Sequence, residues 1–278
     1  MGHRSPDRLW GLAAMSAMLL CAPPALAETK LDGVLTQGGL MRGQATPGSL
    51  VTLDGKPVRV AATGHFAFGF GREAGPTATL AIVEPGGRTD IRTLAIAPRS
   101  FDIQRITGLP ERMVTPKPED LERIRRDSQM VATARKNDYP EIWFAEPFDW
   151  PAKGRISGVY GSQRILNGEP RAPHYGIDIA APVGTPILAP LPGRVTLADT
   201  DQYFTGGTVI LDHGHGVSST FLHMETVTVR VGDVLPRGAP IGTLGATGRV
   251  TGPHLDWRIN WFDVRLDPAL VVPPMSSD

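Results

Sequence analysis

Pro173-His174-Tyr175-Gly176-Ile177-Asp178 places an imidazole and a carboxylate with three residues between them. Both groups ligate metals. A neutral His with an ionised Asp suits zinc, a borderline-soft cation that accepts nitrogen and oxygen together. Pro173 on one side and Ala180-Ala181-Pro182-Val183-Gly184-Thr185-Pro186 on the other carry too much proline and glycine for a helix. On an extended segment, side chains four residues apart share a face, so His174 and Asp178 are placed to reach one ion. By itself the pair reads better as a surface histidine beside a turn aspartate. The surrounding chain discriminates.

From Gly154 onward the pattern is short strands separated by turns. Strand candidates are Val159-Tyr160-Gly161-Ser162, Pro186-Ile187-Leu188-Ala189-Pro190, Gly193-Arg194-Val195-Thr196-Leu197 and Thr208-Val209-Ile210-Leu211. Ser219-Thr220-Phe221-Leu222-His223, Val229-Arg230-Val231-Gly232-Asp233 and Ile241-Gly242-Thr243-Leu244-Gly245 follow. Asp212-His213-Gly214-His215-Gly216 reads as a turn. In the last segment, Gly252-Pro253-His254-Leu255-Asp256-Trp257, a strand would turn His254 and Asp256 to one side.

These pieces, in this order, resemble the lysostaphin/LytM-type zinc metallopeptidases of bacterial cell walls. His174-x-x-x-Asp178 corresponds to the first metal motif of that family, Phe221-Leu222-His223-Met224 to its central section and Gly252-Pro253-His254-Leu255 to its last motif. The resemblance covers Gly154 to Val272, a little under half the chain. It implies an antiparallel β domain with zinc held by His174, Asp178 and a third ligand, and His223 and His254 as catalytic groups that take up a proton and steady an oxyanion. The last motif of the family is normally His-x-His, its second His being the third ligand. Here Asp256 stands at that position. Carboxylate oxygen is an acceptable zinc ligand, so His174, Asp178 and Asp256 form a candidate three-ligand open site. Two carboxylates would leave the ion less positive, and its water a poorer acid, than one would. The implied activity is hydrolysis of peptidoglycan peptide bonds by a zinc metalloendopeptidase. The replacement also admits a non-enzyme: a degenerate LytM-type domain that binds and activates a cell-wall amidase, or a module that holds wall peptide without cutting it.

Residues 28–100 read as a small β-sandwich with a general likeness to immunoglobulin-like modules of secreted bacterial proteins. Asp54-Gly55 between Leu50-Val51-Thr52-Leu53 and Val58-Arg59-Val60 is a hairpin signal. Phe66-Ala67-Phe68-Gly69-Phe70 alternates with period two, which predicts a buried phenylalanine face. His65 has no ligand partner nearby and reads as structural. Residues 101–150 read as a helical connector. Pro116 and Pro118 precede Glu119-Asp120, then Leu121, Ile124 and Val131 recur at helical spacing and Arg135-Lys136 close the element, as the helix dipole favours. Trp143, Phe144, Phe148 and Trp150 are expected to dock the connector onto the domain at 151–275. The whole is thus mainly β.

Arg4 and Arg8, the apolar run Leu9 to Leu20 and Ala25-Leu26-Ala27 predict a secretory signal peptide over residues 1–27 and a periplasmic or secreted protein. The run is short for a membrane span. Cleavage after Ala27 removes Cys21, the single cysteine, so any metal would rest on histidine and carboxylates. Loss of Arg4, Arg8 and Asp7 leaves 26 basic against 27 acidic side chains, which argues against nucleic acid as a partner. No Gly-x-Ser-x-Gly elbow is present.

Overall fold

The computed structural model describes residues 1–2, 29–107 and 116–275. The signal-peptide expectation and Cys21 lie outside the described residues. No helix among the described residues is long and apolar enough to cross a membrane.

The first strands are β1 (Lys30–Gly33), β2 (Leu40–Gln44), β3 (Leu50–Leu53), β4 (Lys56–Val58), β5 (His65–Gly69), β6 (Thr77–Val83) and β7 (Thr89–Ala95). They form two antiparallel sheets, β1-β2-β5 and β4-β3-β6-β7, around a shared core of Met41, Val51, Phe66, Phe68, Leu80, Ile82 and Leu94. The β3–β4 hairpin turns on Asp54 and Gly55, both at positive φ (49° and 75°), as its Asp-Gly dipeptide predicts. Phe66, Phe68 and Phe70 are buried as expected.

Strand β8 (Ile103–Ile106) precedes a three-residue 3-10 turn, Pro118–Asp120, which leads into helix α1 (Leu121–Arg135). Phe144 and Phe148 are then fully buried in the C-terminal core, and Trp150 meets Trp257 edge-on at 5.8 Å. The aromatic cluster therefore docks the connector.

The C-terminal strands are β9 (Arg155–Gly158), β10 (Gln163–Leu166), β11 (Glu169–Pro170), β12 (Ile177–Ala180), β13 (Pro186–Leu188), β14 (Gly193–Gln202) and β15 (Gly206–Asp212). They continue with β16 (Val217–Val227), β17 (Val234–Leu235), β18 (Pro240–Leu244), β19 (Leu255–Trp261) and β20 (Val264–Leu266). Ten of them make one antiparallel sheet with the spine β17-β14-β15-β16-β19-β12-β9. One face carries the core: Ile177, Ile179, Val195, Val209, Leu211, Phe221, Leu255, Trp257 and Ile259. Burying these side chains stabilises the sheet by roughly 1.5–3 kcal/mol each. Helix α1 packs on the opposite face, where Ala134, Met130 and Val131 cover Leu197 and Ile210.

Three strand expectations differ from what is found. Strand β9 ends at Gly158, and 159–162 is a turn, because Gly161 sits at φ 83° with the Phe101 ring where a Cβ would be. Val229–Asp233 is also a turn. Gly232 takes φ 97° and Asp233 Oδ2 accepts the Arg230 N–H at 2.8 Å, which closes the loop locally. His254 precedes β19 rather than lying in it, since Pro253 cannot donate to the ladder.

Candidate metal centre

The strand register brings the predicted ligands together. Asp178 on β12 is paired with Asp256 on β19, and Asp256 is paired on its other side with Leu222 of β16. Side chains alternate along each strand. Ile177, Ile179, Leu255 and Trp257 enter the core, so Asp178 and Asp256 face the other side. His174 comes from the irregular segment before β12. Its N–H donates to Ser162 O (2.9 Å) and its carbonyl accepts from Gly161 N (2.7 Å), which ties it to the turn after β9.

His174 Nε2 lies 3.0 Å from Asp178 Oδ1 and 3.4 Å from Asp256 Oδ2. One ligand atom from each of the three residues falls within 4.8 Å of the other two. Ligands on a tetrahedral zinc, at bond lengths of about 2.05 Å, stand about 3.3 Å apart. His174 Nδ1 and Nε2 and Asp178 Oδ1 are buried without a hydrogen bond, so the close pair Nε2 and Oδ1 is not aligned to bond to each other. Buried polar atoms left open in this way are rare and point to a missing partner. The donor set and its orphaned atoms fit a zinc ion.

Backbone glycines make room for the carboxylates. A Cβ on Gly158 would lie 2.2 Å from Asp178 Oδ2, and one on Gly176 would lie 2.4 Å from Asp256 Oδ1. Two arginines hold the outer sides. Arg258 donates Nε to Asp256 Oδ1 (2.9 Å) and Nη2 to Oδ2 (2.6 Å), and Arg164 Nη2 donates to Asp178 Oδ2 (3.2 Å). Burial works to raise the Asp256 pKa, but Arg258 and His174 outweigh it and hold the carboxyl well below its ordinary range. Burial works to lower the His174 pKa, but Asp256 and Asp178 outweigh it and raise it above its usual value.

His223 and His254 stand beside this cluster, their rings 4.9 Å apart and His254 Nε2 3.7 Å from Asp178 Oδ1. His223 occupies the point where β16 leaves β19 for a new partner, β18. Its φ of 64° is uncommon for a side chain with a Cβ and re-aims the ring there. Its N–H donates to Thr205 O (2.8 Å). His223 Nδ1 meets Thr247 O at 2.9 Å and His254 Nδ1 meets Gly252 O at 2.9 Å. A carbonyl only accepts, so both Nδ1 atoms carry hydrogen, and in the neutral ring each Nε2 presents a lone pair. Thr247 is itself fixed, donating to Met224 O (2.8 Å) and accepting from Gly207 N (3.0 Å). Burial pushes the His223 pKa down to about 4, with His254 adding to the effect against the pull of Asp256.

The remaining histidines take other places. His213 is fully buried, donating Nδ1–H to Pro192 O and accepting at Nε2 from Ser219 Oγ, each at 2.8 Å. His215 packs on Phe144 at 4.9 Å, and His65 bonds Thr63 at 2.9 Å. Sequence reasoning missed Arg258, Arg164 and Gly158. Arg258 had a signal, standing two residues after Asp256 on a strand and hence on the same face. Arg164 and Gly158 had none, because they reach Asp178 only through folding.

The description "Peptidase family M23" matches residues 172–268. The chain is 38% identical over 109 residues to the peptidoglycan DD-endopeptidase ShyA of Vibrio cholerae, covering 39% of this chain and 25% of that one. It is 36% identical over 125 residues to ShyC of the same organism, covering 44% of this chain and 28% of that one. The chain thus spans about a quarter of the length of these curated relatives. A crystal structure of a Pseudomonas aeruginosa protein assigned to peptidase M23 superposes with a TM-score of 0.67 at 30% identity, covering 86% of this chain and 95% of the other. Motifs, register and a full-length structural relative agree, and the chain belongs to peptidase family M23.

Proposed function

We propose that the protein is an exported zinc metalloendopeptidase that hydrolyses peptide bonds of peptidoglycan. The observation that carries this reading is the convergence of a ligand atom from each of His174, Asp178 and Asp256 within 4.8 Å of one another, with His174 Nε2 and Asp178 Oδ1 left without a hydrogen bond. The peptidoglycan DD-endopeptidases among the relatives supply the substrate class. When bound by these three residues, zinc would polarise a carbonyl and acidify a water. The chain's own groups do the rest. His223 and His254 present Nε2 lone pairs on one side of the cluster, placed to accept the proton of an attacking water and return it to the leaving amine. In protonated form, either donates to the developing oxyanion. The depressed pKa of His223 keeps it neutral at pH 7, with its Nε2 lone pair free to accept a hydrogen bond.

Residues 1–27 would act as the export signal, 28–100 as a spacing or binding unit, 101–150 as connector and 151–275 as the catalytic unit. The alternative of a degenerate domain that activates an amidase accounts less well for a converging three-residue cluster flanked by two imidazoles 4.9 Å apart. The test is release of soluble muropeptides from purified sacculi by the chain lacking residues 1–27, with zinc and with chelator. Zinc-dependent release, lost in His174→Ala, is expected. A chain that holds one zinc yet releases nothing, while stimulating an added amidase, would establish the activator instead.

A further inference from the structure

The ligand-bearing face of the sheet is organised in rows across its strands. One row is Leu222, Asp256, Asp178 and Gly158, the metal row. Two residues along, about 7 Å away by strand geometry, runs a second row of Ile210, Thr220 and Arg258. Helix α1 lies over this second row and encloses a cavity of about 260 Å³ with it. The walls include Arg135 of α1, Arg258 of β19, Arg265 of β20, Thr220 and the rings of Tyr203 and Phe204.

Three guanidiniums at one cavity are costly unless something negative joins them. Arg258 is engaged by Asp256. Arg135 is only 6% exposed, its Nη2 reaches Thr220 Oγ1 at a long 3.3 Å, and its Nε is buried with no partner. Arg265 Nη1 is likewise buried without a partner. Two acids also line the cavity, but Asp127 is taken up by the Tyr203 N–H (2.8 Å) and Asp263 is exposed. Burial, then the charges of Arg265 and Arg258, push the Arg135 pKa well down, and burial with Arg258 brings Arg265 to about 10. The guanidiniums of Arg135, Arg258 and Arg265 therefore repel one another around this space, and Asp263 and Asp256 offset the repulsion only in part.

We propose that this cavity is an oxyanion pocket in which Arg135 and Arg265 bind a carboxylate of the peptide being cut. The assignment of the ligand to the substrate rests on the function proposed above. The fork of N–H donors on a guanidinium matches a carboxylate or a phosphate. The volume admits a carboxylate with a small side chain. Its place beside the metal row puts the bound group one residue or so from the bond under attack. Helix α1 thereby becomes a wall of the substrate groove.

The test begins with the metal-free chain and inorganic phosphate or acetate as probes, read by calorimetry and by the shift in melting temperature. Saturable binding is expected, weakened at least tenfold in Arg135→Gln. Arg265→Gln, on a different element, gives the same readout should the helix variant fail to fold. Absence of saturable binding, or binding that both variants retain, overturns the pocket. The zinc-loaded chain is then given a cross-linked peptide with its free carboxylates, and the same peptide amidated. The wild type is expected to show a KM at least tenfold lower for the free acid, and Arg135→Gln to show no preference. Phosphate binding without that discrimination assigns the pocket to free phosphate and overturns the peptide assignment. Phosphate binding in a zinc-loaded chain that cuts neither peptide supports the pocket and removes the hydrolase reading.

Discussion

Arg258 grips both oxygens of Asp256, from Nε to Oδ1 at 2.9 Å and from Nη2 to Oδ2 at 2.6 Å. This changes what Asp256 means. A histidine at that position would be a neutral ligand, and the Asp256–Arg258 pair is neutral too. With Arg258 counted, the second carboxylate adds no net charge to the cluster. The two positions act as one unit.

Asp256→His on its own should accordingly harm the protein rather than repair it. It leaves the Arg258 guanidinium without its carboxylate and facing a new imidazole. Removing one partner of a buried pair costs about 3 kcal/mol, taken at the low end because the Arg258 side chain is 21% exposed. The double variant Asp256→His with Arg258→Gln should recover most of that loss, along with zinc affinity. Denaturant unfolding and zinc titration of both proteins check this. A single variant as stable and as tight-binding as wild type would mean the two residues are independent.

Arg258→Met separates the structural from the metal-directed role of the arginine. In the metal-free chain it strands the Asp256 carboxylate, which is 1% exposed, so the melting temperature should fall by several degrees. Zinc supplies the missing positive charge. The stabilisation gained on adding zinc should therefore be larger in the variant than in wild type. Equal increments, measured by calorimetry at matched zinc, would show that the ion and the guanidinium do not share Asp256.

How much of this could be read from the chain follows from the range of each interaction. The Asp54-Gly55 hairpin and the Phe66-Phe68-Phe70 face were legible because turn geometry and strand alternation are local. His174, Asp178 and Asp256 were legible as candidates from motif order, and the register then joins them across β12 and β19. The strand expected at Val159–Ser162 was not found, since the Phe101 ring that takes the place of a Gly161 side chain comes from 60 residues earlier. Arg164 and Gly158 were invisible for the same reason. Helix α1 was legible as a helix, but its seat on Leu197 and Ile210 depends on a register shift in β14 between Val195 and Leu197.

Gly158→Ala tests the cradle without substituting a ligand. The three nearest atoms to its Cβ would all belong to the Asp178 side chain, the closest at 2.2 Å, so that side chain must move. Zinc affinity should drop about 10–100-fold, the range for groups that orient a ligand. Secondary structure and unfolding of the metal-free chain should change little, because Gly158 lies at the end of β9 on the sheet edge. Unchanged zinc affinity would show that Asp178 has slack the structure does not display.

His213 should shape the acid side of the stability profile. Burial pushes its pKa down to about 4, from an ordinary value of 6.5. The folded chain then holds fewer protons at this site than the unfolded chain between those values. Its contribution is fully present above pH 6.5 and is lost as pH falls through the window to 4, by about 3 kcal/mol in total. His223, also near 4, acts in the same direction, while Asp212, pushed up to about 7 chiefly by burial, acts in the opposite one. Both remain in His213→Gln, so comparison with wild type isolates His213. Wild type should be the more stable at pH 7.5, and the gap should narrow steadily toward pH 4.5 in chelator-treated samples. A gap independent of pH, from denaturant unfolding at each pH, would mean that His213 is protonated alike in both states.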